Sequence, residues 1–341
     1  RKECILCLLF RVEKVKLSNL FLLLTLYKNS GRSAMASPLI ELFQGHQVAF
    51  AHKDDFLKKL SRFKSQGLAG LRVVSDFDFT MSKFYLNGKR GASCHKIIED
   101  CDLLAADYHV QARALQAKYY PLEVDPELNM EDKVRYMVEW VDKAHILLME
   151  YGLARQTIAG AVSEAITHNR FCLRDKLSDF LQRLSDDKVP LLIFSAGIAD
   201  VLEEALRAQV PGSWPNLHVI SNRCIFDEQS GVITGFEQPL LHVFNKKSSA
   251  YLHTAFFATP GLEQRQCLLL LGDSLGDVSM SEGMGIPTEN ILRIGYLNDR
   301  VERLPQYLEC YDLVILGDPG FEIPVGIVEE IASGVRTDLF R

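Results

Sequence analysis

Short apolar runs, each closed by polar residues, alternate along most of the chain with stretches of helical periodicity. Leu71–Val74 is one such run, too short for a helix and rich in valine, so it reads as a buried parallel strand. Val189–Phe194, Leu217–Ile220, Ile291–Tyr296 and Leu313–Leu316 read the same way, and Gln266–Leu271 is the most apolar of all. Between them, Asp54–Phe63, Asp175–Leu184 and Ala199–Gln209 carry amphipathic helical spacing, and Lys246 is expected to open a further helix. The segment from Cys224 to Phe244, turning at Asp227–Gly231, suits a small antiparallel hairpin. Strands that alternate with helices imply an α/β fold, a doubly wound and mostly parallel sheet.

One block breaks the alternation. From Ser93 to His168 strand signals nearly vanish, and helices are expected over Asp107–Tyr119, Met130–Tyr151 and Arg155–His168, with a break at Pro121 and Pro126. This block separates the first strand from the second and reads as an inserted helical cap. The expected division is a core of residues 35–84 and 170–341, with the cap at 85–169. Residues 1–34 differ from the rest. Their apolar run Leu20–Tyr27 is far short of the roughly 20 residues a bilayer span needs. A signal or transit peptide is one reading, but no methionine precedes Met35, and a translated leader is the favoured expectation.

Composition narrows the function classes. The 341 residues are 48% hydrophobic and 24% charged, a globular balance with enough chain for a sizeable core. A net charge of −6 without a basic stripe argues against polymeric nucleic acid as a partner, but leaves room for nucleotide-sized anions. Of the 8 cysteines, Cys4 and Cys7 form a CxxC with no second pair, which does not make a zinc site. The others lie scattered in apolar contexts, as expected of reduced thiols, so a cytoplasmic protein with no membrane partner is expected. Oligomeric state is left open, a monomer included.

Three of the buried strands end in polar signatures: Asp76 and Asp78 followed by Thr80, then Ser195-Ala196-Gly197, then Asp273 and Asp277. Taken singly, each has an ordinary reading. Asp-rich strand ends are common turns, Ser195 could cap a helix, and lysines such as Lys246 are mostly solvated. In a parallel sheet, however, all three ends face one crevice. Two carboxylates two residues apart repel wherever water is scarce, so a bound cation or a shared proton must offset the repulsion. The parts together suit phosphoryl transfer to a carboxylate. Asp76 and Asp273, with water and phosphate oxygens, would complete an octahedral shell for Mg2+. Lys246 adds a second positive charge, Ser195 a hydroxyl, and the Ala196 and Gly197 N–H groups an anion nest at the expected helix start.

This arrangement resembles the haloacid dehalogenase (HAD)-like phosphatases, whose core is Rossmann-type. Within them it is similar to the cytosolic 5′-nucleotidase III family, the pyrimidine 5′-nucleotidase group. The resemblance runs from about Gly70 to Asp312 and rests on Asp76-Phe77-Asp78-Phe79-Thr80, Asn87-Gly88-Lys89-Arg90, Tyr119–Pro126 and Met137–Trp140. It continues through Ile193–Ile198, Phe244-Asn245-Lys246, Leu271–Asp277 and Ile294–Asp299. It implies a Mg2+-dependent phosphatase for nucleoside monophosphates, CMP or UMP on one branch and 7-methyl-GMP on another. Asp76 would be the nucleophile, and Asp78 the acid and base, with its backbone carbonyl on the metal. Asp273 would be the third metal ligand. Ser195, Ala196 and Lys246 would hold the phosphate, Asp277 would orient Lys246 or a metal-bound water, and Glu123 would contact the base or ribose.

One position departs from the family pattern and another divides it. Val141 stands where an aromatic residue follows the tryptophan, and Ala144 falls where serine marks the pyrimidine branch and alanine the 7-methylguanylate branch. A different HAD-type phosphatase, such as one for phosphoserine, would share the strand-end motifs but not Glu123 and Trp140. A silent phosphate-binding module would have no need of Asp78.

Overall fold

The computed structural model describes residues 39–334, apart from 44 and 126. The expectation for residues 1–34 therefore lies outside the described residues. Two strands, β1 (Leu39–Phe43) and β2 (His46–Phe50), precede the first helix, α1 (Lys53–Gln66). Next come β3 (Leu71–Ser75), the two-residue strands β4 (Tyr85–Leu86) and β5 (Lys89–Arg90), and the helices α2 (Cys94–Glu99), α3 (Ala106–Val124), α4 (Met130–Glu150) and α5 (Arg155–Thr167). After α6 (Leu177–Asp186) the alternation resumes with β6 (Leu191–Ile198), α7 (Ala199–Gln209) and β7 (Leu217–Asn222), then the hairpin β8 (Cys224–Phe226) and β9 (Ile233–Phe236). The chain closes with β10 (Cys267–Gly272), β11 (Ile291–Leu297), α8 (Leu304–Cys310), β12 (Leu313–Leu316) and α9 (Glu322–Ser333).

Eight strands form the main sheet in the order β1-β2-β12-β11-β10-β3-β6-β7. The six strands from β12 to β7 pair in parallel, and β2 pairs antiparallel with β12, so the α/β reading of a mostly parallel sheet holds. Two layers cover it. Phe56 and Phe63 of α1, Phe180 of α6 and Ile327 of α9 pack on one face. On the other, Leu268 and Leu270 of β10 meet Tyr251, Phe256, Met280 and Tyr307. The alternation along β10 follows the two-residue period of a strand, and burial on both faces explains its continuous leucines.

Several expectations are corrected. The edge pair β1–β2 has no counterpart in the sequence reading. Pro121 does not end its helix at once: it lies in the last turn of α3, which stops three residues later at Val124. Pro126 is not among the described residues. Lys246 opens no α-helix; only a single 3₁₀ turn, Ser248–Tyr251, follows it. The hairpin after Cys224 ends at Phe236, short of Phe244. Finally, β6 runs through Ser195-Ala196-Gly197 to Ile198, so those residues belong to an irregular strand end and not to a helix start.

Candidate active site

The carboxyl ends of β3, β6 and β10 meet, as parallel pairing requires. Asp76 extends β3 by one residue, its N–H donating to Leu271 of β10 at 3.0 Å. Its carboxylate is held from two sides. Lys246 Nζ donates to Oδ1 at 2.5 Å, and Thr80 Oγ1 donates to Oδ2 at 3.2 Å. Lys246 also donates to Asp277 Oδ1 at 2.8 Å. The other oxygen of Asp277 accepts the N–H groups of Asp273 (3.1 Å) and Ser274 (2.9 Å), which ties the turn after β10 closed. Glycine is needed at Gly272 for that closure, since a Cβ there would lie 2.5 Å from the Cβ of Asp277.

One carboxylate oxygen each from Asp76, Asp273 and Asp277 lies within 4.8 Å of the others. Three carboxylates, two of them buried, thus gather around one ammonium at the cavity floor, with a surplus of two negative charges when all ionise. Burial pushes the Asp76 carboxyl up to about 7, against the pull of Lys246. Burial, with Asp76 and Asp277 nearby, drives Asp273 well above the ordinary carboxylate range. Burial pulls Lys246 down, but Asp277 and Asp76 outweigh it, so the lysine stays charged. A compact all-oxygen donor set with two excess charges fits a hard divalent cation.

Asp78 points elsewhere. Its Oδ1 accepts the N–H of Cys94, the first residue of α2, at 2.9 Å. Burial raises its carboxyl to about 6, and the Cys94 bond draws it back only in part. On β6, Ser195 is buried and its Oγ accepts the Gly197 N–H at 3.0 Å. The Gly197 amide is therefore engaged inside the strand end, a correction to the expected nest. Gly197 lies so close to α2 that a Cβ on it would come 2.9 Å from the Cβ of Cys94.

A cavity of about 1010 Å3 opens above these strand ends. Asp76, Asp78, Ser195, Ala196, Lys246 and Asp273 reach it from the core, and Glu123, Trp140, Val141 and Ala144 from helices α3 and α4. All the sequence-predicted site residues meet there except Asp277, which lies fully buried beneath Lys246. Trp140 stacks on Tyr119, with ring centroids 6.0 Å apart. Burial raises the Glu123 carboxyl, opposed by Arg90 and Lys133.

Arg90 and His95 are cavity residues to which the sequence reading gave no role, Arg90 entering it only within the Asn87–Arg90 motif. Arg90, on the β4–β5 hairpin, lies over the rings of Phe79 (4.9 Å) and Phe84 (5.1 Å). His95 lines the cavity and stacks on His145, which stacks in turn on Phe236 at 3.6 Å. Burial lowers His95 to about 4, which keeps its ring neutral. The Asn-Gly turn between β4 and β5 was a readable hairpin signal; nothing in the sequence marks the histidine stack.

Known proteins can be set beside this geometry. The pyrimidine 5′-nucleotidase (UMPH-1) family model matches residues 79–332. The 7-methylguanosine phosphate-specific 5′-nucleotidase A of Xenopus laevis is 40% identical over 276 residues, covering 81% of this chain and 92% of its own. The Homo sapiens 7-methylguanosine phosphate-specific 5′-nucleotidase is 39% identical over 272 residues, covering 79% and 87%. Among solved structures, cytosolic 5′-nucleotidase IIIB bound to cytidine superposes with a TM-score of 0.75 at 29% identity, covering 84% of this chain and 94% of that one.

Proposed function

The chain belongs to the pyrimidine 5′-nucleotidase family and is a 5′-nucleotidase, and from that premise we propose that it hydrolyses nucleoside 5′-monophosphates through a phosphoryl-enzyme on Asp76. The observation that carries this reading is the Asp76–Lys246 pair at 2.5 Å, on the floor of a cavity whose other wall bears Glu123 and Trp140. In the first step an Asp76 carboxylate oxygen attacks phosphorus, the bond from phosphorus to the 5′-oxygen breaks, and Asp78 gives that oxygen its proton. In the second, Asp78 takes a proton from water, whose oxygen attacks phosphorus and frees Asp76 with release of phosphate. Asp78 suits both duties, because burial raises its carboxyl to about 6, close to neutrality.

Lys246 holds Asp76 in place and offsets the charge of the phosphate, with Asp277 fixing the lysine from behind. The Ser195 hydroxyl and the Ala196 N–H would receive phosphate oxygens. Asp76, Asp273 and the backbone carbonyl of Asp78 would hold Mg2+, with Asp277 close enough to join them or to orient a bound water. When bound, the ion withdraws charge from the phosphoryl oxygens and lowers the barrier to attack by an anion.

Residues 85–169 act as a cap that closes the nucleotide against the core of residues 35–84 and 170–341. Glu123 contacts the base or ribose and Trp140 stacks beside it. Relatives named for 7-methylguanosine phosphate and a solved structure bound to cytidine support testing both bases. Phosphate release is measured from CMP, UMP, 7-methyl-GMP, AMP and phosphoserine, with and without Mg2+, beside Asp76→Asn. Mg2+-dependent release from CMP, UMP or 7-methyl-GMP, lost in the variant, is expected. Release from phosphoserine alone would refute the reading.

A further inference from the structure

Arg174 and Asn298 touch neither the cavity nor the charged cluster, yet they grip the loop that carries Asp78. Arg174 lies three residues before α6 and is almost fully buried. Four of its N–H groups donate hydrogen bonds, and an ion pair adds to them. Nε donates to the Thr80 carbonyl at 2.7 Å, and Nη2 donates to the Phe79 carbonyl at 2.8 Å and to Asn298 Oδ1 at 2.7 Å. Nη1 donates to the Pro319 carbonyl and pairs with Asp318 Oδ1 at 2.7 Å. The guanidinium also lies 4.2 Å over the ring of Tyr296. Asn298 closes the circuit by donating from Nδ2 to the same Phe79 carbonyl at 2.9 Å.

The gripped residue is in an unfavourable conformation. Phe79 has φ 64, the left-handed region that a bulky side chain avoids. Such a backbone persists only where its surroundings over-determine it, and such strain collects at functional sites. Here two donors hold its carbonyl and Ser82 Oγ accepts its N–H at 2.8 Å. The twist at Phe79 turns the chain sharply between Asp78 and Thr80, so that Thr80 doubles back onto Asp76 while Asp78 faces Cys94.

We propose that Arg174, acting with Asn298, is a positioning residue for the reaction: it locks Phe79 in the left-handed turn and thereby sets the directions of Asp76 and Asp78. The inference rests on the roles given above to those two aspartates. It assigns a task to Asn298 in the Ile294–Asp299 stretch, which none of the chemical steps required. Only a planar fork can meet carbonyls on two sides and a carboxylate on a third, so lysine cannot replace it. Asp318 extends the hold, because its carboxylate also accepts the N–H groups of Phe84 (2.9 Å) and Tyr85 (2.7 Å) at the entry to the inserted helices.

The test compares Arg174→Lys and Asn298→Ala with the parent in Mg2+, and Asp76→Asn serves as the control for the roles themselves. Misplacement by a fraction of an ångström should lower kcat about tenfold for Asn298→Ala and up to about a hundredfold for Arg174→Lys. KM should stay within about twofold, since neither side chain lines the cavity. Inhibition by orthovanadate, a mimic of the five-coordinate transition state, should weaken by the same factor as kcat, with inhibition by the product nucleoside unchanged. A kcat per folded enzyme within about twofold of the parent in both variants would overturn the proposal, whatever the change in Tm. So would a loss confined to KM and nucleoside inhibition. Should Arg174→Lys fail to fold, Asn298→Ala decides. An active Asp76→Asn would instead bring down the underlying roles.

Discussion

Lys246 Nζ stands 2.5 Å from Asp76 Oδ1, joining the end of β3 to a turn that lies 170 residues further along the chain. Among the described residues, the lysine is the one cation bonded to this carboxylate, and Asp277 holds it from the other side. Removing one partner of such a buried pair leaves the rest uncompensated, at a cost of about 3–5 kcal/mol. Lys246→Met should therefore lose that much stability in denaturant titrations without divalent cations, and regain part of it in excess Mg2+. Unchanged stability in the variant would show that the carboxylates are neutral in the parent.

The same cluster predicts a pH-dependent response to metal. Asp76 is raised from 3.8 to about 7, and Asp273 and Asp78 are raised with it. Between those limits the native state keeps protons that the unfolded chain has released. Without metal, stability therefore falls as pH rises through the window and is greatest below it. A divalent cation displaces those protons, so the gain in Tm from Mg2+ should be larger at about pH 8 than at about pH 5. A gain independent of pH, or larger in acid, would contradict this picture.

Asp78→Asn keeps the shape of the side chain and the Cys94 hydrogen bond but can neither give nor take a proton. Its kcat should fall by about two to four orders of magnitude, with KM changed by no more than a few-fold. Because nucleotide binding survives, equilibrium titration of the variant with substrate should give an affinity close to the KM of the parent. Turnover equal to the parent would remove Asp78 from proton transfer.

Gly197→Ala tests the contact between β6 and α2. The added methyl would sit 2.9 Å from the Cβ of Cys94, whose N–H holds Asp78. Overpacking there should cost about 1–3 kcal/mol and lower kcat more than it raises KM. A variant with parental stability and turnover would mean that α2 can shift without disturbing Asp78.

Trp140 reads out the other wall. Loss of its ring in Trp140→Ala should remove about 1–3 kcal/mol of stacking on the base and raise KM by roughly tenfold or more. Its effect on kcat should be small by comparison. An unaltered KM for every nucleotide would place the base elsewhere in the cavity.

Much of the site's floor was legible from residues 71–80, 193–198 and 266–277 taken together, because several apolar strands ending in complementary polar groups have few other readings, although each alone is an ordinary turn. Parallel pairing then brings the strand ends together without further information. Lys246 was singled out as the start of an expected helix and again within Phe244-Asn245-Lys246; the helix is only a 3₁₀ turn, yet the lysine reaches the site. What stayed hidden depends on contacts far apart in the chain. Arg174 sits in Leu173-Arg174-Asp175-Lys176, a stretch that looks solvated, and only the meeting of the segments at 79–80, 298 and 318–319 buries it. Edge strands β1 and β2 were missed for a similar reason, since their place is set by pairing with β12 at the far end of the chain.

The most direct test is to trap the phosphoryl-enzyme. The enzyme is mixed with radiolabelled nucleoside monophosphate and Mg2+, quenched in acid during turnover, and digested for peptide mapping. The account predicts a phosphoryl group on the peptide containing Asp76, stable in acid and lost in alkali, and absent from Asp76→Asn. Turnover with no label on protein at any quench time, or a label on another residue, would contradict it.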